Sequence, residues 1–246
     1  NQKTIQYIPG LYKLFDEACV NCYDHSVRMR QLIDALPENN DENNFPVSLI
    51  DISITDDGVI SLLHDGNGID IAKHPTYDLW IPEMIFAHLR TGTNYNKDEK
   101  KIVGGKNGFG AKLIFIWSEF GSLETIDHKR GLKFVQEYKS NLDFIGKPKI
   151  TKCKRKPYTK ITFKPDYKRL GISNISEDIR ALFKKRVYDI SALTGKGVRV
   201  KYNGELISAK TFPQYFDLYI GNKTDTKRIY ENGNDRWEYA VCVSPS

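Results

Sequence analysis

The chain has 246 residues, 40% of them hydrophobic and 28% charged, which is enough apolar material for one large domain or two small ones. No run of about 18 apolar residues occurs, so no helical membrane span is expected, and the four cysteines lack ligand spacing, which argues against a zinc site and for thiols in a reducing compartment. The net charge of +6 suits a polyanionic partner without demanding one.

Ile8-Pro9-Gly10 opens the first helix, because proline is a good first-turn residue. Over residues 11–28 the apolar positions Leu11, Leu14, Phe15, Ala18, Cys19 and Cys22 form one buried stripe. A second stripe is polar: Glu17, Asn21 and His25 follow at i, i+4 and i+8, with Asp24 beside them. Read alone this is a solvated helix face, yet it also projects a carboxylate and a carboxamide into one space. Residues 37–45 make a polar, acidic loop. Two strands follow, over 47–55 and 59–64, joined through the hairpin turn Asp56-Asp57-Gly58. The second runs into His64-Asp65-Gly66-Asn67-Gly68, where Gly-x-Gly lets a flat ligand approach the backbone and His64 or Asp65 can meet its polar edge.

A helix is predicted from Trp80-Ile81-Pro82 to about residue 89, then a polar loop over 90–95. The most informative stretch is Gly104-Gly105-Lys106-Asn107-Gly108-Phe109-Gly110-Ala111-Lys112. Its glycines free the backbone N–H groups to turn toward one anion, and the helix predicted over 111–117 adds a favourable dipole. Lys106 and Lys112 add charge. The spacing fits neither a Walker A loop nor a dinucleotide fingerprint, and we read it as a polyphosphate cradle.

Antiparallel strands are expected around 123–126 and 132–138. Residues 145–160 are strongly basic (Lys147, Lys149, Lys152, Lys154, Arg155, Lys156, Lys160) and read as an exposed loop, followed by a short strand over 161–163. Ser176 caps a helix over 177–192, a hairpin spans 198–207, a helix covers 211–219, and residues 237–243 form a strand with no partner in view. The first residue is not Met and the chain stops soon after that strand, so a piece of something longer is expected.

Three polar islands thus stand in order: Glu17/Asn21, His64-Asp65-Gly-x-Gly68, and Gly104 through Lys112. They resemble the ATP-binding domain shared by DNA gyrase, the heat-shock 90 chaperones, sensor histidine kinases and the MutL mismatch-repair proteins, known as the GHKL or Bergerat fold. Ile8-Pro9-Gly10-Leu11-Tyr12-Lys13-Leu14-Phe15-Asp16-Glu17, Ile102-Val103-Gly104 to Lys112, Thr93-Asn94-Tyr95 and Ile161-Thr162-Phe163 are similar to the eukaryotic-type DNA topoisomerase II family. The resemblance spans nearly the whole chain.

It implies a two-layer α/β (α+β) sandwich, with a mixed, mostly antiparallel sheet packed against helices. Residues 1–209 would be the ATP-binding domain and 210–246 the start of a transducer domain. ATP and Mg²⁺ are the implied ligands. Glu17 would be the general base, Asn21 the magnesium ligand, and His64, Asp65 and Gly68 the base-side contacts. Thr93 and Asn94 would meet ribose and phosphates, and Lys106, Asn107, Gly108, Phe109, Gly110, Ala111 and Lys112 would wrap the triphosphate. The family usually carries Asn or Asp where His64 stands, Asn at His25, Ser at Gly92 and often Tyr at Phe109. Double-stranded DNA through the full-length enzyme, a homodimer formed on ATP binding, and the nucleus or a viral factory are the implied partners and setting. The lysine that contacts the terminal phosphate belongs to the transducer, so slow hydrolysis by this piece is expected. The alternatives are another ATP-operated clamp of the superfamily, in chaperoning or mismatch repair, and a nucleotide-dead basic module that holds nucleic acid through residues 147–160.

Overall fold

The computed structural model describes residues 4–35, 43–88, 110–221, 223–224, 226–234 and 237–243. Helix α1 (Pro9–Asp34) begins where Ile8 is extended and Pro9 takes the first turn, and runs six residues past the predicted end. Its buried stripe is the predicted one, prolonged by Met29. Strands β1 (Leu49–Ile54) and β2 (Ile60–Asp65) form the expected hairpin, with Gly58 at φ +82° in its turn. Helix α2 (Ile81–Ala87) and helix α3 (Gly110–Ile116) follow, then the antiparallel pair β3 (Ser118–Asp127) and β4 (Leu132–Lys139).

Strand β5 (Phe144–Ile145) and strand β6 (Lys149–Lys152) both pair with β4, so part of the basic segment is ordered sheet edge rather than the expected loop. Strand β7 (Tyr158–Pro165) is longer than predicted and lies mid-sheet between β2 and β3. Helix α4 (Glu177–Thr194) starts where the Ser176 hydroxyl accepts from the Ile179 N–H, the predicted cap. Strands β8 (Arg199–Tyr202) and β9 (Glu205–Leu206) form the second hairpin. Helix α5 (Phe212–Ile220) leads to strands β10 (Arg228–Asn234) and β11 (Trp237–Cys242), which pair with each other, so the strand left without a partner has one.

The large sheet has nine strands in the order β5-β4-β3-β7-β2-β1-β8-β9, with β6 also on β4. All pairs are antiparallel except β1 with β8. Alternation explains the layers: Ile50, Ile52, Ile60, Leu62, Ile161, Phe163 and Leu123 are buried, while Ser53, Ser61 and Thr162 face outward and Ser61 and Thr162 share a 2.8 Å hydrogen bond. Helices α1, α3 and α4 close the apolar face. Phe15 of α1 stacks on Phe183 of α4 at 4.2 Å, and Phe115 of α3 lies on Tyr138 at 4.6 Å. Gly121 makes that second contact possible, since a Cβ there would sit 2.4 Å from the Phe115 ring. This is the two-layer α/β arrangement expected from the sequence.

Candidate functional site

The polar stripe of α1 is where the separated motifs meet. Glu17 is half-buried, and one oxygen of its carboxylate takes a 2.8 Å ion pair from Lys13, one helical turn earlier. Its other oxygen faces the first residue of α3. A Cβ built on Gly110 would lie 1.8 Å from Glu17 Oε2 and 2.6 Å from the carboxyl carbon, so only glycine lets the end of the glycine-rich stretch rest against this carboxylate. Asn21 is half-buried, one turn further along the same helix.

At the next turn His25 meets the second motif. Its ring lies 4.5 Å from the His64 ring, tilted by 40°. Gly66, at φ +99°, brings the backbone so near that a Cβ would stand 3.3 Å from His25 Nε2. That nitrogen is buried and has no hydrogen-bond partner among the described residues. Burial, with the repulsion of His64 second, pulls the His25 pKa down to about 3, and burial pulls His64 down to about 4. Both rings are therefore neutral near pH 7, each with one nitrogen that donates and one that accepts.

Gly68 continues the close approach, its notional Cβ 1.9 Å from the Ile126 carbonyl oxygen. The turn is pinned to β3 because Thr125 Oγ1 accepts from the Ile69 N–H at 3.0 Å and Asp127 Oδ2 from the Ile71 N–H at 2.9 Å. Asp65 is committed within the fold. Its carboxylate accepts from the Ser48 N–H at 2.6 Å, the Leu49 N–H at 2.7 Å and the Ser48 hydroxyl at 2.6 Å, stapling the end of β2 to the start of β1. Three of roughly four acceptor positions are thus in use, whereas His64, whose Nδ1 meets the Asp65 carbonyl oxygen at 3.3 Å, keeps its second ring nitrogen for another partner.

Two residues escaped the sequence reading. Thr159 lies directly opposite His64 in the sheet, and Thr125 opposite Thr159. Their hydroxyls are 2.9 Å apart, and both residues are buried. One register step further in, the same row is Leu62–Ile161–Leu123. The helix-facing side of the sheet therefore turns from apolar to polar beneath His25. The signal was the inward alternation Thr159, Ile161, Phe163, legible only once β7 is seen to begin before residue 161.

Lys112, in the first turns of α3, is 2% exposed, and burial lowers its pKa. Ala111 is half-buried beside it. Thr93, Asn94, Lys106, Asn107, Gly108 and Phe109 lie outside the described residues. The contacts thus bring Gly110 to Glu17 and His64 with Gly66 to His25 along α1, with Asn21 on the turn between; Ala111 and Lys112 follow Gly110 in α3, Gly68 follows Gly66, and Asp65 ties the end of β2 to β1. The arrangement offers a carboxylate and a carboxamide beside a helix N-terminus and a buried lysine, with a neutral imidazole pair at the far end. That is the chemistry needed to hold a polyphosphate at one end and a flat polar ring at the other.

No protein-family model matches the chain. It is 39% identical over 245 residues to DNA topoisomerase 2 of Acanthamoeba polyphaga mimivirus and 41% identical over 252 residues to DNA topoisomerase 2 of Arabidopsis thaliana. These alignments cover 99% and 100% of this chain but 18% and 16% of those relatives, so it spans under a fifth of their length. Among solved structures, the ATPase region of Saccharomyces cerevisiae topoisomerase II superposes with a TM-score of 0.87 at 39% identity, covering 99% of this chain and 61% of that one. The ATPase and transducer domains of DNA topoisomerase II from Balamuthia mandrillaris give 0.82 at 38% identity, covering 97% and 57%.

Proposed function

We infer that this chain, which belongs with the ATPase regions of the type II DNA topoisomerases, binds ATP in the space between α1, β2 and α3 and hydrolyses it there. The observation that carries the reading is the contact of Gly110 with the Glu17 carboxylate. It sets a potential proton acceptor against the end of the glycine-rich stretch, where a terminal phosphate would arrive. Glu17 orients and deprotonates the attacking water, an effect on the order of 10²–10⁴ in rate. Lys13 holds one oxygen of that carboxylate, leaving the other for the water. Lys112 and the N–H groups at the start of α3 take phosphate charge, and an arriving anion offsets the desolvation that lowers the lysine pKa. His64, neutral and with its Nδ1 on the Asp65 carbonyl, meets the polar edge of the base through its other ring nitrogen, with Gly68 letting the ring approach the backbone. Thr93, Asn94 and Lys106 to Phe109 complete the ribose and phosphate contacts.

Magnesium fits this donor set. A small hard cation needs only one or two protein oxygens when phosphate and water fill the rest of its shell, and the Asn21 carbonyl, one turn from Glu17, would supply one. When bound, the ion neutralises charge on the phosphates. The first 209 residues act as the nucleotide domain, and residues 210–246, with α5 and the separate β10–β11 hairpin, begin the next one. In the full-length enzyme we propose that ATP closes a homodimer around double-stranded DNA for strand passage in the nucleus or, for a viral source, the viral factory. The decisive experiment is calorimetric titration with a non-hydrolysable ATP analogue, with and without Mg²⁺. Magnesium-dependent binding that Lys112→Ala abolishes, and that Glu17→Gln preserves while stopping hydrolysis, supports the reading. Binding indifferent to Lys112→Ala refutes the phosphate cradle.

A further inference from the structure

We propose that the sheet edge formed by β6, which no other described strand covers, and the turn after it are a docking rail for duplex DNA, gripped through its phosphodiester backbone. The charge distribution leads there. Residues 144–165 carry eight Lys or Arg and no Asp or Glu; removing those eight from the chain's 37 basic residues leaves 29 against 31 acidic ones. The whole positive excess therefore resides in this one segment, which runs from β5 through β6 into β7, and the remainder of the chain carries −2.

Six of the eight, Lys147, Lys149, Lys152, Lys154, Arg155 and Lys156, are exposed, and none forms an ion pair with another described residue. They are displayed on a fixed support. Strand β6 pairs with β4 through Leu132–Lys152, Lys133–Thr151, Phe134–Ile150 and Val135–Lys149, and the Cys153 N–H donates to the Gly131 carbonyl at 2.8 Å. Because side chains alternate along a strand, Lys149 and Lys152 point to opposite faces. A pocket for one phosphate would converge its cations, whereas charge spread on both sides of an edge matches a continuous polyanion.

Lysine on an edge also discourages strand-to-strand pairing, and Lys149 and Lys152 serve that end. Lys147, Lys154, Arg155 and Lys156 lie outside the strand, where that role has no use. Residues 146–157 contain no aromatic side chain to stack an unpaired base, and their Ile150 and Cys153 are half-buried; the one exposed aromatic ring beside them, Phe144, lies 5.7 Å from the Lys139 ammonium, a single ring and no apolar patch for a bilayer. Backbone contact to a duplex remains. The edge lies four strand spacings from β2, roughly 19 Å, so it is separate from the nucleotide site. The choice of DNA among duplexes rests on the family reading; the polyanion site does not.

The test is fluorescence anisotropy of a 25-base-pair duplex with this chain, nucleotide-free, from 50 to 200 mM KCl. With about five phosphate contacts, log K should fall against log[salt] with a slope near −4 to −5. The triple variant Lys147→Gln/Lys149→Gln/Lys152→Gln should flatten that slope by about 3 and lower affinity at 100 mM KCl by about tenfold or more. Lys168→Gln/Lys184→Gln/Lys196→Gln removes the same charge elsewhere and should leave the slope unchanged. Equal losses in both triples would reduce the effect to net charge and overturn the proposal. So would tighter binding to single strands, or binding to vesicles of 30% phosphatidylserine stronger than to the duplex. Titration of the same proteins with the non-hydrolysable ATP analogue separates the two readings: if nucleotide fails to bind while the edge triple alone loses DNA, the site reading falls and the rail stands.

Discussion

Replacing Gly110 with alanine tests the central contact. The added Cβ would lie 1.8 Å from Glu17 Oε2, whereas ordinary van der Waals contact begins near 3.4 Å, so the carboxylate must retreat by about 1.6 Å. The obstructing atoms are the end of a flexible side chain, and Gly110 is a helical residue without positive φ, so the fold accommodates the methyl group. Gly110 is the first residue of α3, and alanine in place of glycine where the backbone tolerates it adds about 0.4–1 kcal/mol by restricting the unfolded chain, or at most about 2–4 °C in a domain of this size. Chemistry is affected in the opposite sense, because a 1 Å displacement of a catalytic group can cost about 100-fold in rate. Single-turnover hydrolysis of ATP by Gly110→Ala should therefore slow by about 100-fold, with a melting temperature equal to or above that of the wild type. Unchanged hydrolysis would refute the assignment of Glu17 as the base. A large fall in melting temperature would refute the claim that the contact yields on the side-chain side.

The histidine pair predicts acid lability. With folded pKa values near 3 and 4 against about 6.5 unfolded, the unfolded state binds more protons between about pH 4 and 6.5. Stability is then complete above pH 6.5 and falls as the pH drops, by roughly 2 kcal/mol per histidine between pH 7.5 and pH 5. Urea unfolding at pH 7.5, 6 and 5 should show a shallower loss for His25→Asn/His64→Asn, and parallel curves would count against the burial of the pair. Asp65→Ala should destabilise by about 2–4 kcal/mol, because it strands the Ser48 and Leu49 N–H groups, while Asp65→Asn keeps one acceptor and should lose less. A denaturation midpoint for Asp65→Ala within error of the wild type would show that the staple is dispensable.

Much of this arrangement was legible in the sequence, for identifiable reasons. Helix α1 declared itself because Pro9 opens it and its apolar residues recur at helical spacing, and the β1–β2 hairpin because Asp56-Asp57-Gly58 suits a tight turn. What depended on distant partners was not legible. Gly110 and Glu17 are 93 positions apart, and nothing local announces their contact. Asp65 follows a strand and precedes Gly-x-Gly, so a ligand contact and a backbone staple look alike until Ser48 is seen beneath it. Strand β10 was hidden by Asn232-Gly233-Asn234, which reads as a turn, and β6 by its lysines and the flanking Pro148 and Pro157.

The parallel pairing of β1 with β8 bears on how the chain is made. Leu49 meets Arg199, 150 positions later, so β1 has one neighbour from its own hairpin and none on its other side until the second is synthesised. At about 5–20 residues per second, that interval lasts roughly 8–30 s on the ribosome. Helix α1 likewise waits for α4 to cover Phe15 with Phe183. The residues that line the site all lie at or before Lys112 or in β3 and β7, yet the α4 and β8 elements that pack behind them come later in the chain. Nascent chains stopped short of residue 202 should thus keep an open β1 edge and remain sensitive to protease, and the transition should come abruptly with β8 rather than by degrees.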